Sequence, residues 1–138
     1  MIKDNRIIYT LGTSNRSLEE FLEILKNYSI KLIVDVRRFP TSRFEHFKRE
    51  KLKDYLSEEN IKYFYLGDKL GGYRQEGYEK YTKTSDFKRA IEILKELSKK
   101  ENICIICAEK FPFRCHRRFI SEELSKDKDI GIIHIIDK

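Results

Sequence analysis

The stretch SLEEFLEILKNYSIKLIVDV, residues 17 to 36, decides the fold. Its first twelve residues set Leu18, Phe21, Leu22 and Leu25 on one helical face. Ser17 followed by Glu20 has the pattern of a capping box, which gives the helix a defined start. Its last six residues, KLIVDV, form a near-continuous apolar run, the pattern of a strand covered on both faces.

The same alternation extends in both directions. RIIYTL, residues 6 to 11, reads as the first strand and KLIVDV as the second. FKREKLKDYLSEEN follows as a helical stretch with Leu52, Tyr55 and Leu56 inward, and IKYFYL is the third strand. GDKLGGYRQEGYEKYTK, residues 67 to 83, is rich in glycine and tyrosine and reads as irregular. SDFKRAIEILKELSKK is an amphipathic helix through Phe87, Ala90, Ile91, Leu94 and Leu97, and NICIIC is the fourth strand. RCHRRFISEELSK is helical, with Phe119, Ile120 and Leu124 inward, and IGIIHII is the fifth strand.

Strands that alternate with helices require crossover connections and hence a mainly parallel sheet. The expected fold is a three-layer α/β/α sandwich around a mainly parallel five-stranded sheet, Rossmann-like, with strand order 3-2-1-4-5. Residues 1 to 138 are expected to form one α/β domain, long enough to bury a core without disulfides or metals.

Composition narrows the function classes. The net charge is +6 and the sequence pI about 9.2, a balance that favours anionic partners such as phosphates or nucleic acid. Many of the lysines alternate with glutamates on predicted helices, as on a solvated surface. No apolar run approaches the roughly 20 residues of a membrane span, and MIKDNRIIYTLG lacks a signal-peptide hydrophobic region. A cytoplasmic location with no membrane partner is expected. Three cysteines, an odd number, argue against a disulfide framework.

In a parallel sheet of this kind, ligands bind beyond the carboxyl ends of the strands. The unusual residues gather there: GTSNRS after the first strand, DVRRFPTSRF at the end of the second, GDKLGGYR after the third and CAEKFPFRCHRR after the fourth. Parallel strands bring these four stretches to one edge. Gly12 and Ser14 precede a helix N-terminus, where backbone N–H groups can hold an anion. GTSNRS is not GxGxxG, so a dinucleotide fingerprint is absent. Asp35 is a base or an orienting carboxylate for an arginine, and Arg37 and Arg43 can fork onto phosphate. Gly71 and Gly72 permit close backbone approach, and Tyr73, Tyr78 and Tyr81, interleaved with Arg74 and other basic residues, can stack on a base, close a lid or simply pack on the fold.

Cys104 and Cys107 lie three apart on a strand and should face opposite sides, so a redox or metal pair is not expected. Cys104 reads as core. Cys107, at the strand end, is a candidate nucleophile or a small buried residue. Glu109 is a general base or an arginine partner. Cys115 and His116 open the last helix, a position that favours thiolate and anions, and Arg117 joins them. Cys107, Cys115 and His116 match no common zinc spacing, and no metal is expected. His46 and His134 read as structural. The sequence specifies no cofactor.

The motifs YTLGTSNRSLEEF, LIVDVRRFPTSRF, IKYFYLGDKLGGY and CIICAEKFPFRCHRRFI, in that order, resemble the domain of unknown function 488 family over nearly the whole chain. The resemblance implies a compact α/β domain and no particular reaction. It also implies a signature formed by Asp35, Arg37, Pro40, Ser42, Arg43, Gly71, Gly72, Cys107, Glu109, Cys115, His116 and Arg117. Thr13 stands where members of that family often carry histidine or tyrosine. Likenesses to rhodaneses and cysteine phosphatases are weaker: AEKFPFR has no glycine, and Pro112 lacks an N–H for an amide cradle. The leading expectation is an enzyme acting on a phosphorylated substrate, such as a nucleotide or nucleic-acid component. The alternative is a non-catalytic module that binds nucleic acid or a partner.

Overall fold

The computed structural model describes residues 6–38, 44–72, 74, 77–109 and 116–136. Five strands form one sheet: β1 (Arg6–Gly12), β2 (Leu32–Asp35), β3 (Lys62–Tyr65), β4 (Ile103–Cys107) and β5 (Ile130–Ile135). Every neighbouring pair is parallel. Between them run α1 (Leu18–Asn27), a 3₁₀ turn (Glu45–Phe47), α2 (Arg49–Glu58), α3 (Gly67–Leu70), α4 (Tyr78–Tyr81), α5 (Ser85–Lys100) and α6 (Arg117–Leu124).

The start of α1 is fixed locally. Glu20 N–H donates to the Ser17 hydroxyl, and Ser17 N–H donates to Glu20 Oε1. At α5 the Thr84 hydroxyl accepts from Phe87 N–H. Both caps satisfy backbone donors that the first helical turn leaves over. Residues 67 to 81, which the sequence reads as irregular, hold the four-residue helices α3 and α4.

Each sheet face carries its own core. Leu11, Ile33, Cys104 and Ile106 pack with Phe21, Ile24 and Leu25 of α1 and with Leu52 and Leu56 of α2. Ile8, Val34, Ile105 and Cys107 pack with Phe87, Ile91 and Leu94 of α5 and with Ile120 and Leu124 of α6. The chain is therefore a three-layer α/β/α sandwich, and Cys104 and Cys107 face opposite layers.

The strand order is β3-β2-β4-β1-β5, not 3-2-1-4-5. The third and fourth positions are exchanged. The physical reason lies in burial: all five residues of β4 are buried, whereas β1 has exposed Ile7 and half-buried Arg6 and Tyr9. The strand that is apolar on both faces takes the centre of a doubly covered sheet.

β4 is consequently the strand at which the connections divide. The chain leaves its neighbours β1 and β2 towards α1 and α2 on one face, and leaves β4 towards α6 on the other. In open α/β sheets, ligands bind at the carboxyl edge beside such a division.

Candidate functional site

The edge is built outward from β4. The ladder between β1 and β4 continues past both strands. Thr13 N–H donates to the Cys107 carbonyl at 2.7 Å, and Ser14 N–H donates to the Ala108 carbonyl at 2.8 Å. These two amides are committed to the neighbouring loop. Ser14 takes φ of 47° at this turn. Gly12, the last residue of β1, pairs with Cys107, and its carbonyl accepts from Arg16 Nε at 2.9 Å. Arg16 is itself buried.

Asp35 ends β2 and is completely buried. Its Oδ1 accepts from Arg37 Nε at 2.9 Å and from Arg37 N–H at 3.1 Å. Its Oδ2 accepts from Arg37 Nη2 at 2.8 Å and from the Tyr63 hydroxyl at 2.5 Å. Arg37 Nη1 donates to the Phe47 carbonyl at 2.7 Å. Burial opposes the charge on Arg37, but the hydrogen bonds and charge of Asp35 outweigh it and raise the guanidinium above its ordinary value. Burial, then the Asp35 charge, pushes the Tyr63 phenol well above the usual range. The geometry is that of an orienting carboxylate: four donors surround Asp35, and it fixes Arg37.

The β2 and β3 loops touch through glycine. A Cβ on Gly67 would lie 1.9 Å from the Arg37 carbonyl oxygen, and one on Gly71 would lie 2.4 Å from Arg38 Cβ. The Tyr65 hydroxyl donates to the Arg38 carbonyl at 2.6 Å. Gly72 lies beside His116, with 3.4 Å between a built Cβ and Nδ1.

His116 precedes α6 and crosses to the end of β2, where Nε2 bonds the Val36 carbonyl at 3.0 Å. A carbonyl only accepts, so Nε2 carries the hydrogen and Nδ1 is the nitrogen on the Gly72 side. Tyr78 packs near the imidazole, with ring centroids 5.5 Å apart, and anchors its own hydroxyl on the Leu70 carbonyl.

Arg117 opens α6 and is 0 % exposed. Its Nη2 donates to the Glu109 carbonyl at 2.8 Å and its Nη1 to the Thr10 hydroxyl at 3.0 Å. Cys107 is buried, and its Sγ lies 3.7 Å from the same Glu109 carbonyl. The Glu109 side chain is exposed.

Of the residues singled out from sequence, Gly12, Ser14, Cys107, Glu109 and Arg117 thus meet around the β1 and β4 ends, and Gly71, Gly72 and His116 meet beside the β2 end. Asp35 and Arg37 close on one another. Pro40, Ser42, Arg43, Tyr73 and Cys115 lie outside the described residues. Thr10, Arg16 and Tyr63 are structural partners that the motifs did not single out. Thr10 and Tyr63 hid within strand runs, although a hydroxyl in an otherwise apolar run was a legible signal.

No group of three metal-ligating side chains occurs among the described residues. No described helix is long and apolar enough to cross a membrane. Comparison with curated proteins and with solved structures finds no match. The sequence profile described as "Domain of unknown function DUF488" matches residues 17–124, from the α1 cap through the end of α6, and the chain belongs to that family.

Proposed function

We propose that this chain is an enzyme acting on a phosphorylated substrate, with a nucleotide or nucleic-acid component as the substrate class. One observation carries the reading: the His116 imidazole, at the opening of α6, is oriented by the Val36 carbonyl at the end of β2 and lies beside Gly72, so it joins the β4 and β2 ends of the carboxyl edge. An imidazole held in this way is suited to general acid–base work. In this reading His116 is the acid–base group, and Arg38, partly exposed at the same edge, carries the positive charge that a phosphate requires. Cys107 is a polar wall or a nucleophile. The saturated contacts of Asp35 assign it to holding Arg37. The net charge of +6 favours an anionic substrate over a neutral one.

The test is a panel of nucleoside mono- and diphosphates, short oligonucleotides and p-nitrophenyl phosphate. Binding is measured by calorimetry, and product release is followed in parallel. Wild-type protein should bind and turn over at least one member. His116→Gln should lower turnover roughly 10²- to 10⁴-fold, the usual contribution of a general acid or base, with smaller loss of binding. Unchanged turnover in His116→Gln, or a wild-type protein that binds nothing in the panel, would overturn the reading. Binding without turnover that weakens steeply with salt would instead identify a nucleic-acid-binding module.

A further inference from the structure

Arg117 is the largest fully buried side chain among the described residues. A guanidinium removed from water needs acceptors aimed at it. Among the described residues, the Glu109 carbonyl after β4 and the Thr10 hydroxyl in the middle of β1 accept from it. Thr10 Oγ1 also lies 2.5 Å from His134 Nδ1 on β5. Strand register brings the last two together: Thr10 and His134 are direct parallel partners and share the face that α6 covers.

Hydrogen counting gives this chain a direction. A guanidinium only donates, so Thr10 Oγ1 is the acceptor towards Arg117. The hydroxyl has one hydrogen, which then points to His134 Nδ1. That arrangement requires a neutral His134 with its hydrogen on Nε2. If His134 gains a proton, Nδ1–H must donate, and Thr10 then has donors on both sides. Its own hydrogen loses its place, and a second cation stands one oxygen atom from Arg117. Arg117 is the one charged group among the described residues that acts on His134, and burial together with that charge holds its imidazole below the ordinary value.

We propose that Thr10 and His134 are positioning residues for Arg117, and that protonation of His134 releases Arg117 from Thr10. In the neutral state the relay locks the guanidinium with Nη2 on the Glu109 carbonyl and so holds the chain at Glu109, just past the end of β4. This role in the site rests on the functional reading above, whereas the relay itself can be observed without any substrate.

The experiment is nitrogen-15 NMR of the full chain from about pH 5 to pH 8. Near pH 8, His134 should show hydrogen on Nε2 and a bare Nδ1. The Arg117 Nη–H signals should be slowed in exchange and should disappear on the same titration midpoint as His134. Thr10→Ser should behave as wild type, and Thr10→Val should lose the protected Arg117 signals. His134→Gln, whose amide oxygen accepts from Thr10, should keep those signals and remove their pH dependence. His134→Phe with Arg117 signals unchanged from wild type, or a neutral His134 with hydrogen on Nδ1, would overturn the proposal. The phosphorylated panel is run on the same samples. A relay that is intact in protein that binds no member supports the positioning network and overturns the substrate reading alone.

Discussion

Asp35 and Arg37, two residues apart at the end of β2, form a closed two-pronged ion pair, Nε to Oδ1 at 2.9 Å and Nη2 to Oδ2 at 2.8 Å, both side chains almost wholly buried. The pair joins the sheet to the 3₁₀ turn, because Arg37 Nη1 also holds the Phe47 carbonyl. Asp35→Asn leaves a buried guanidinium without its counter-charge and should destabilise the protein by about 3–5 kcal/mol. Asp35→Leu combined with Arg37→Met should cost clearly less than the sum of the two single changes, since neither charge is then stranded. Tyr63→Phe removes one of four donors and should cost about 1 kcal/mol. Urea unfolding of these five variants, the two single changes included, measures all three expectations. A double variant as unstable as the sum of its parts would show that the pair is not coupled.

Close packing of the β2 and β3 loops makes a second, purely steric prediction. A Cβ at Gly67 has no room, being 1.9 Å from the Arg37 carbonyl oxygen and 2.5 Å from the Tyr65 ring. The neighbouring atom is backbone, which cannot swing aside. At Gly131 on β5 a Cβ meets nothing nearer than 3.8 Å. Gly67→Ala should therefore lose about 1–3 kcal/mol or more, the range of overpacked sites. Gly131→Ala should stay within about 0.5 kcal/mol of wild type. Thermal unfolding of the two variants, side by side, checks the contrast.

Thiol chemistry separates the two cysteines of β4. Cys104 is wholly enclosed, and burial pushes its thiol up to about 12, the Arg117 charge opposing this only in part. The thiolate is the reactive form. Cys104 should thus be silent towards a disulfide reagent at about pH 8 in folded protein and should react only on unfolding. Cys107 belongs to the opposite core layer and ends its strand, so its labelling reports the site edge independently. Peptide mapping after timed labelling resolves the two. Prompt modification of Cys104 in folded protein would contradict its place in the core.

Legibility in the sequence followed the range of the forces. The helix at residues 85 to 100 is readable end to end, because its apolar period and its Thr84 cap are local. Strand positions are readable within a residue or two for the same reason. The exchange of β1 and β4 in the sheet was not, because it depends on which strand is apolar on both faces once all five compete for the centre. Residues 67 to 81 read as irregular because the Gly71–Gly72 pair interrupts any period, and helices of four residues leave little to detect. At the site, Asp35 with Arg37 and the His116–Arg117 pair stood out by residue type. Their partners did not. Tyr63 reaches Asp35 only through the β2–β3 register, which pairs Asp35 with Tyr65, and Thr10 meets His134 only through the β1–β5 register. Register is a tertiary property with no local mark.

His134 carries a pH prediction for stability. Burial and the Arg117 charge hold its folded-state value below the ordinary 6.5. The unfolded chain, free of both, takes up a proton near pH 6.5 while the folded chain still resists it. Where the unfolded state binds more protons, stability rises with pH. The contribution of His134 is therefore neutral well above pH 6.5. It turns destabilising as pH falls through 6.5 and levels off once pH drops below the folded value. His134→Gln cannot titrate and should remove this part of the acid loss. Measured from about pH 8 to pH 5, the urea midpoint of wild type should fall more steeply than that of His134→Gln, with the gap opening just below pH 6.5. Arg117→Met should narrow the gap, because it removes the second cause of the shift. Parallel midpoints for wild type and His134→Gln across that window would mean that the folded protein accepts the proton as readily as the unfolded chain.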